Sequence, residues 1–244
     1  MNKKKTVFIS ASSSGIGYYL AKKYKALNYN VVINGTNKSK LKEVSSKLVC
    51  DYFLGDLTQE KKIKSLVKKL KKNYGYIDVL ICNLGSSNFS KNNKNFKNAF
   101  RYNFFSTSSL VENSNNILKK SKSKIICISS ICGVESIRGA PLGYSIAKSA
   151  LNFYIKLISK ELAKKMIAIN GIVPGNILFP GSTWDLKMHT SLKKTKNYIS
   201  QNVPMNRFGS PDDIFEICKM LSENRSNFIT GSLFRLDGGQ TKSL

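Results

Sequence analysis

The chain has 244 residues, 41% of them hydrophobic, which suits one globular domain with a sizeable core. Forty basic against 14 acidic residues give a formal net charge of +26, and no apolar run approaches the ~20 residues that span a bilayer. A single histidine, His189, excludes a multi-histidine metal site and a histidine-based triad, and five cysteines without C-x-x-C spacing favour reduced thiols in a cytoplasmic protein.

The positive charge comes almost entirely from lysine. The five arginines are Arg101, Arg138, Arg207, Arg225 and Arg235, and the lysines are spread over every predicted helix. Because bidentate phosphate recognition favours arginine, this pattern predicts a solvated basic surface and no specific nucleic-acid site. The alternative is a useful attraction for anionic ligands, such as phosphorylated cofactors, thioester carriers or nucleotide sugars.

Short strand patterns alternate with amphipathic helical stretches along the chain. This alternation predicts an α/β fold, a Rossmann-type doubly wound parallel sheet of about seven strands with helices on both faces. The predicted strands are Thr6–Ser10, Val31–Asn34, Tyr52–Leu54, Val79–Cys82, Ile125–Ser129, Ala168–Val173 and Leu233–Leu236. Helical periodicity is clear in Gln59–Asn73 and in Leu151–Leu162. The segment 176–202 interrupts the alternation and predicts a substrate lid within a single domain, residues 1–244.

A small-residue loop, Ser10-Ala11-Ser12-Ser13-Ser14-Gly15-Ile16-Gly17, follows the first predicted strand and leads into a helix. Such a turn aims free backbone N–H groups at an anion, and glycine lets the backbone approach a pyrophosphate. The loop resembles the T-G-x-x-x-G-I-G fingerprint of the short-chain dehydrogenase/reductase family, with Gly15 and Gly17 matched. Ser10 and Ala11 replace the threonine and the first glycine. An alanine is tolerated there if its φ stays negative.

Further motifs extend this resemblance over nearly the whole chain. In chain order they are Asp56-Leu57, Cys82-Asn83-Leu84-Gly85, Asn103, Pro174-Gly175, Pro204–Pro211 and Asp237-Gly238-Gly239. The resemblance implies an NAD(P)-dependent oxidoreductase that interconverts a carbonyl and a secondary alcohol by hydride transfer. The cofactor-binding residues that it implies are Ser10, Ser12, Ser14, Gly15, Ile16, Gly17, Thr36, Asn37, Lys38, Asp56, Leu57, Asn83, Gly85, Tyr144, Lys148, Pro174, Gly175 and Ile177.

The motif Tyr144-x-x-x-Lys148 places a phenol and an ammonium on one helix face. Tyr18/Lys22 and Tyr19/Lys23 have the same spacing, but only Tyr144 and Lys148 follow the fifth strand, where active sites of open parallel sheets lie. The resemblance makes Tyr144 the general acid/base. Lys148 and a positive nicotinamide ring are expected to lower its pKa.

Two more catalytic residues complete the predicted set. Ser130, at the end of the fifth strand, is expected to orient the substrate oxygen, with Ser129 as the reserve candidate. The family spacing from serine to tyrosine is thirteen residues, whereas Ser130 lies fourteen before Tyr144, which indicates a one-residue insertion near Arg138–Gly143. Asn103 is expected to hold a water that links Lys148 to solvent.

The second strand is followed by Gly35-Thr36-Asn37-Lys38, without the acidic residue of NAD users in this family, so NADP is favoured and NAD stays open. The substrate is predicted to be a small carbonyl or alcohol compound, with an anionic or carrier-linked form left open, and the assembly a homodimer or homotetramer. The alternatives are a carrier-protein-docking 3-ketoacyl reductase, which the resemblance suggests, and a non-catalytic dinucleotide sensor or nucleic-acid binder.

Overall fold

The predicted alternation of strands and helices is present in the structure. The computed structural model describes residues 4–87, 93–120 and 122–243, so both ends of the predicted domain lie outside the described residues. The strands in this part are β1 (Thr6–Ile9), β2 (Asn30–Gly35), β3 (Asp51–Leu54), β4 (Val79–Cys82), β5 (Lys124–Ile128), β6 (Ala168–Pro174) and β7 (Leu233–Leu236). Each predicted strand is found, and its ends move by no more than one residue.

The helices fill the intervals between the strands. They are α1 (Gly15–Ala26), α2 (Lys38–Leu48), α3 (Glu60–Tyr74), α4 (Asn93–Phe100), α5 (Ser106–Asn113), α6 (Leu142–Ala163), α7 (Thr183–Thr190), α8 (Leu192–Asn202) and α9 (Pro211–Glu223). A π-helical turn, Arg101–Phe105, joins α4 to α5. No helix within the described ranges is long and apolar enough to cross a bilayer.

The strands form one parallel sheet in the order β3-β2-β1-β4-β5-β6-β7. The direction of strand addition reverses between β1 and β4. Ligands of doubly wound sheets bind in the crevice outside the carboxyl ends of the strands at such a switch point. The fold therefore confirms the predicted class and places the loop after β1 at the expected binding crevice.

Both faces of the sheet are covered, because alternate side chains of each strand enter different cores. On one side Phe8 packs with the apolar faces of α3, α5 and α6. On the other side Val7 and Ile9 pack with those of α1, α2 and α9. A fully buried side chain of this kind contributes roughly 1.5–3 kcal/mol through removal from water. The two cores fix the carboxyl ends of the strands at one edge of the molecule.

The helix that carries Tyr144 and Lys148, α6, has apolar residues on two faces. The periodic residues of the predicted helical stretch, Leu151, Ile155 and Leu162, are buried in the core of the subunit. The stretch Leu151–Leu162 therefore offers only its remaining apolar residues for association, because its periodic face already covers the sheet. A different stripe of apolar side chains points outward, Leu142, Ile146, Phe153 and Leu157.

Candidate active site

The loop after β1 is held by its own serine side chains. The Ser10 Oγ accepts a hydrogen bond from the N–H of Asn83 at 2.8 Å, which ties the end of β1 to the end of β4. The Ser12 Oγ donates to the carbonyl of Ile9 at 2.7 Å and accepts from the N–H of Asn34 at 2.9 Å. Both side chains are buried, so their hydroxyl groups fix the conformation of the loop.

The first residues of α1 form the cradle for an anion. Ser14 is the N-cap residue, is exposed, and makes no side-chain hydrogen bond to the first turn. Gly15 has φ +58°, and a Cβ on Gly17 would lie 2.5 Å from the carbonyl oxygen of Ala11. Ile16 packs against the core beside them. Only glycine allows this close approach of loop and helix, and the free N–H groups at the helix start suit the pyrophosphate of a dinucleotide.

Ala11 does not meet the condition under which an alanine fits this loop without strain. Its φ is +48°, in the left-handed region, and not negative. The backbone is held there from both sides, since the Ala11 N–H donates to Asn34 Oδ1 at 3.1 Å and its carbonyl accepts from Asn83 Nδ2 at 3.0 Å. A left-handed conformation costs a non-glycine residue roughly 1–2 kcal/mol. The loop keeps the geometry of the glycine fingerprint at this cost.

The predicted adenosine side lies beyond β2. Thr36, Asn37 and Lys38 are all exposed at the end of that strand. The Asn37 side chain caps α2 by accepting from the N–H of Lys40 at 3.0 Å, which leaves the hydroxyl of Thr36 and the ammonium of Lys38 facing solvent for a ligand. Lys38 is also the first residue of α2, where the helix dipole favours an anion.

Asp56, after β3, belongs to the same predicted adenosine side. Burial would raise the pKa of its carboxyl, but hydrogen bonds from the backbone and side chain of Thr58 lower it below the ordinary value. Arg101 adds an ion pair, with its Nη2 3.4 Å from Asp56 Oδ2. Leu57 is in the hydrophobic core, so only its backbone can meet a cofactor. Arg101 was not among the predicted site residues.

The catalytic candidates come together at the carboxyl end of β5. Tyr144 is half-buried, and the hydroxyl of Ser130, directly after the end of β5, lies close enough to lower the pKa of its phenol. Lys148, one turn further along α6, has its Nζ 5.8 Å from the centre of the Tyr144 ring. The Lys148 Nζ donates to the carbonyl of Ile128 at 2.8 Å and is almost fully buried. Phenol, hydroxyl and ammonium therefore occupy one end of the crevice.

The reserve candidate, Ser129, has another partner. Its Oγ donates to Asn152 Oδ1 at 2.5 Å, and Asn152 Nδ2 donates to the carbonyl of Gly133 at 3.0 Å. A Cβ on Gly133 would lie 2.5 Å from the backbone carbonyl carbon of Lys148, so the loop lies directly on α6. Ser129 thus joins β5 to α6, while Ser130 is the serine beside Tyr144.

The pKa values of the two key groups shift in opposite directions. Burial raises the pKa of Tyr144 to about 12, although the hydrogen bond to Ser130 lowers it in part. Burial lowers the pKa of Lys148 to about 8. In the chain alone, Lys148 is not among the groups that shift the pKa of Tyr144, and its ammonium donates a hydrogen bond to the carbonyl of Ile128, so the expected lowering of the Tyr144 pKa by Lys148 stays a prediction for the cofactor-bound site. The effect of a positive nicotinamide ring stays a prediction.

Asn103 lies in the π-helical turn and is fully buried. Its Nδ2 donates to the carbonyls of Ser86 and Ala99 at 3.0 and 2.9 Å, and its Oδ1 accepts from the N–H of Ser86 at 3.0 Å. A Cβ on Gly85 would lie 2.8 Å from Asn103 Oδ1 and 3.1 Å from Lys148 Nζ. The structure therefore brings Asn103, Gly85 and Lys148 together, and π-helical turns often occur at functional sites. The water that Asn103 was expected to hold stays a prediction.

The end of β6 forms the far wall of the crevice. Pro174 is its last residue, and Gly175 donates its N–H to the carbonyl of Leu236 at 2.9 Å. A Cβ on Gly175 would lie 2.9 Å from Cα of Asp237, so the two segments touch along their backbones. Ile177 is buried and pairs with Gly209. These contacts fix the turn from which the predicted lid begins.

The segment 176–202 contains two helices, α7 and α8, which contact each other through stacked aromatic side chains. Trp184 and Tyr198 stack with ring centres 5.2 Å apart, and Phe208 lies 5.5 Å from Trp184. Phe179 reaches the phosphate loop, where its ring lies 3.2 Å from the position of a Cβ on Gly15. The start of the segment therefore lies next to the predicted cofactor site.

The alternative tyrosine–lysine pairs lie elsewhere. Tyr18 and Tyr19 are on α1 and contact each other edge to face, with ring centres 5.8 Å apart. Lys23 pairs with Asp212 of α9 at 2.7 Å. Only Tyr144 and Lys148 share the crevice with Ser130, at the end of the sheet where the anion cradle also opens. A doubly wound sheet with these groups at its switch point is the arrangement of a dinucleotide-dependent oxidoreductase.

Comparisons with known proteins agree with this class. The family model described as Enoyl-(Acyl carrier protein) reductase matches residues 10–241. The 3-oxoacyl-[acyl-carrier-protein] reductase FabG of Rickettsia prowazekii is 28% identical over 242 residues, which cover 96% of each chain. FabG of Chlamydia muridarum is 30% identical over 249 residues, again 96% of each chain. The chain belongs to the short-chain dehydrogenase/reductase family, and it is an NAD(P)-dependent oxidoreductase.

Solved structures share the whole fold. ElxO with NADP bound has a TM-score of 0.88 and 27% identity, and the match covers 97% of this chain and 98% of ElxO. L-sorbose reductase from Gluconobacter frateurii, in complex with NADPH and L-sorbose, has a TM-score of 0.89 and 23% identity over 99% and 98% of the two chains. At that identity the second likeness concerns the fold alone.

Some residues of the crevice gave no clear signal in the sequence. Arg101 pairs with Asp56, and Gly133 packs on Lys148. Both partners are distant in the sequence, so a linear pattern does not reveal these contacts. Cys132 lies close enough to affect the pKa of both Tyr144 and Lys148, and burial raises the pKa of its own thiol. The motif Ser130-Ile131-Cys132-Gly133 was the one available clue, since it places the thiol beside the predicted serine.

Proposed function

We propose that the chain reduces a carbonyl compound to a secondary alcohol with NADPH, and that Tyr144 donates the proton. The observation that carries this proposal is the meeting of Ser130, Tyr144 and Lys148 beside the anion cradle of α1. NADPH supplies the hydride when bound. The pKa of about 12 keeps Tyr144 protonated at neutral pH, which is the state that a reduction needs.

Each side chain has a separate task in this proposal. Ser130 hydrogen-bonds the substrate oxygen and directs it to the Tyr144 hydroxyl. Tyr144 gives its proton to that oxygen as negative charge develops there. Lys148 binds the cofactor ribose and favours the phenolate that remains, while Asn103 supports the segment around Gly85 that contacts Lys148.

The preference for NADPH rests on the loop after β2. No acidic residue lies between Gly35 and Lys42 to accept a hydrogen bond from an unmodified ribose. Thr36 and Lys38 are exposed there and suit a 2′-phosphate. ElxO, which is 27% identical, was solved with NADP. The cofactor is proposed to contact five further residues of the predicted set, Gly15, Gly17, Asp56, Pro174 and Gly175.

A 3-ketoacyl group on a carrier protein is the second candidate substrate, because FabG proteins match over 96% of this chain. The outer face of the lid helix α8 carries Lys193, Lys194 and Lys196, all exposed, which would attract an acidic carrier. Turnover of acetoacetyl thioesters, free and carrier-linked, decides between this substrate and an unlinked carbonyl compound.

The chain is also proposed to act in the cytoplasm as a single domain that forms a homodimer or homotetramer, with the segment 176–202 as its lid. Its cysteines are free thiols, as a reducing compartment requires. The outward apolar stripe of α6, from Leu142 to Leu157, is the surface for association.

The decisive variant is Tyr144→Phe, assayed on a panel of carbonyl substrates with NADPH and with NADH. Turnover with NADPH should fall about 10²–10⁴-fold, since the general acid is lost, while the Kd for NADPH stays nearly constant. NADPH should bind more tightly than NADH. Tyr18→Phe and Tyr19→Phe are the matched controls and should keep nearly full turnover. Retention of most activity by Tyr144→Phe, or an equal loss in either control, contradicts the proposal.

A further inference from the structure

The C-terminal segment after β7 is folded against the carboxyl end of the sheet. We call Asp237–Ser243 the C-terminal strap. Asp237 Oδ1 accepts from the N–H of Gly239 at 3.0 Å, and its Oδ2 accepts from the N–H and hydroxyl of Thr241 at 2.9 and 2.6 Å. Gly238 and Gly239 both have positive φ, so the turn requires them. The strap therefore has a defined path.

Gln240, in the middle of the strap, links two parts of the crevice. Its Oε1 accepts from Asn176 Nδ2 at 2.6 Å, and its Nε2 donates to the Tyr198 hydroxyl at 3.2 Å. Asn176 is buried and follows the turn Pro174-Gly175 directly. Tyr198 belongs to the lid helix α8. One amide side chain thus connects the wall of the crevice to the lid.

The contact with Tyr198 extends to both lid helices. The Tyr198 ring stacks on Trp184 of α7 at an angle of 27° between the ring planes. A stacked ring whose hydroxyl is held has a fixed position along the stack, so Gln240 sets the position of Trp184 through Tyr198. Phe208 supports Trp184 from the other side.

The far end of the strap is attached to the segment that follows Ser130. Glu135 Oε2 accepts hydrogen bonds from the N–H groups of Lys242 and Ser243 at 2.7 and 3.0 Å. Glu135 lies two residues after Gly133, which packs on Lys148. The strap therefore joins the substrate lid to the segment that carries the predicted catalytic serine.

We propose that Gln240 is a positioning residue for the substrate, which acts through Tyr198 to hold the lid at a fixed distance from Tyr144. The inference rests on the proposed reductase function and adds the element that sets substrate affinity. Among the described residues, the side chain of Gln240 hydrogen-bonds to Asn176 and Tyr198 and to no residue of the anion cradle of α1 or the loop after β2. Its loss is expected to weaken the binding of the carbonyl substrate and to leave cofactor binding unchanged.

The test compares Gln240→Leu, the milder Tyr198→Phe and the double variant. Tyr198→Phe removes only the hydrogen bond from Gln240, whereas Gln240→Leu also removes the one from Asn176. The KM for the carbonyl substrate should rise about fivefold to tenfold in Gln240→Leu and no more than that in Tyr198→Phe, with a smaller change in kcat. The Kd for NADPH should not change. The double variant should be no worse than Gln240→Leu, since both changes break one link. Gln201→Leu, an exposed glutamine of the same lid helix, is the matched control.

A second readout does not depend on turnover. Trp184 is the only tryptophan, so its fluorescence reports the lid alone. Its emission maximum should move to longer wavelength in Gln240→Leu and Tyr198→Phe, and it should stay in place in Gln201→Leu. Unchanged emission with an unchanged KM overturns the proposal, as does an equal effect in Gln201→Leu or an equal loss of NADPH affinity. If no carbonyl compound is turned over, the reductase proposal fails, and the emission still decides whether Gln240 positions the lid.

Discussion

At the scale of single residues, the site is governed by desolvation. Burial disfavours the charged form of both groups, so it raises the pKa of Tyr144 to about 12 and lowers that of Lys148 to about 8. The chain alone therefore holds a neutral phenol beside a lysine that releases its proton close to neutral pH. A phenolate at Tyr144 therefore needs additional positive charge, which we expect the bound cofactor to supply.

The shift at Lys148 predicts a pH dependence of stability. Its folded pKa lies below the unfolded value, so between about pH 8 and 10.5 the unfolded chain binds a proton that the folded chain does not. The free energy of unfolding of the wild type, relative to Lys148→Met, should rise across this window by up to ~3 kcal/mol. Urea unfolding at pH 7 and pH 10 measures the difference. Lys160→Met, at an exposed lysine of α6, should show no such trend, and a flat difference for Lys148→Met contradicts the pKa.

The left-handed conformation of Ala11 predicts the effect of Ala11→Gly. The change removes backbone strain of roughly 1–2 kcal/mol from the folded state. It also makes the unfolded chain more flexible, which lowers the free energy of unfolding by about 0.4–1 kcal/mol. The free energy of unfolding should therefore increase slightly, by less than ~1.5 kcal/mol, and NADPH should still bind. Ala150→Gly, within α6, is the control and should lower stability by about 0.5–1 kcal/mol. A loss in Ala11→Gly equal to that of the control argues against strain at this loop.

At the scale of elements, the sequence predicts the strands well because several of them, such as β4 and β5, are nearly continuous apolar runs. The buried run Val79–Cys82 is found with its predicted bounds. The segment 176–202 was predicted as an interruption of the alternation and as a substrate lid, without its two helices. Its helices α7 and α8 depend on Trp184 stacking on Tyr198, a tertiary contact that periodicity does not reveal. The φ of Ala11 was missed for the same reason, since side chains of β2 and the loop after β4 impose it.

The outward face of α6 predicts assembly. Phe153 is 66% exposed and Leu157 49% exposed, a large apolar surface for a monomer. We expect the wild type to be a dimer or tetramer by light scattering at micromolar concentration. Phe153→Glu should reduce its mass toward that of a monomer, because the carboxylate would be buried at the interface without a partner. Phe228→Glu, at a 96% exposed ring of the loop before β7, tests whether any exposed aromatic has this effect. A wild-type monomer contradicts the prediction.

At the scale of the whole molecule, the net charge of +26 is distributed over helices on both faces of the sheet. Lys64 pairs with Glu60 and Lys164 with Glu161, but 14 acidic residues leave most lysines without an opposite charge nearby. Such a surface attracts anions through its summed field and recognises no sequence. It therefore favours the encounter with an anionic substrate or cofactor over nucleic-acid binding.

Binding to duplex DNA should accordingly be weak and nonspecific. Fluorescence anisotropy with two unrelated duplexes should give equal affinities, which fall steeply from 50 to 200 mM salt as condensed counterions compete. NADPH affinity measured in the same buffers is the comparison, and it should fall less because buried contacts of the crevice contribute to it. A preference for one duplex that survives 200 mM salt would restore the nucleic-acid alternative.

The interior position of β1 in the sheet has a consequence for how the molecule folds. Val7 pairs with Val31 on one side and with Val79 on the other, so the second partner follows only after α2, β3 and α3. Closing this long loop costs conformational entropy before the contacts between β1 and β4 form and offset that cost. Contacts between such distant segments slow folding. During synthesis the apolar edge of β1 stays open until β4 emerges from the ribosome. This period of exposure makes β1 the strand of the sheet most in need of protection from aggregation.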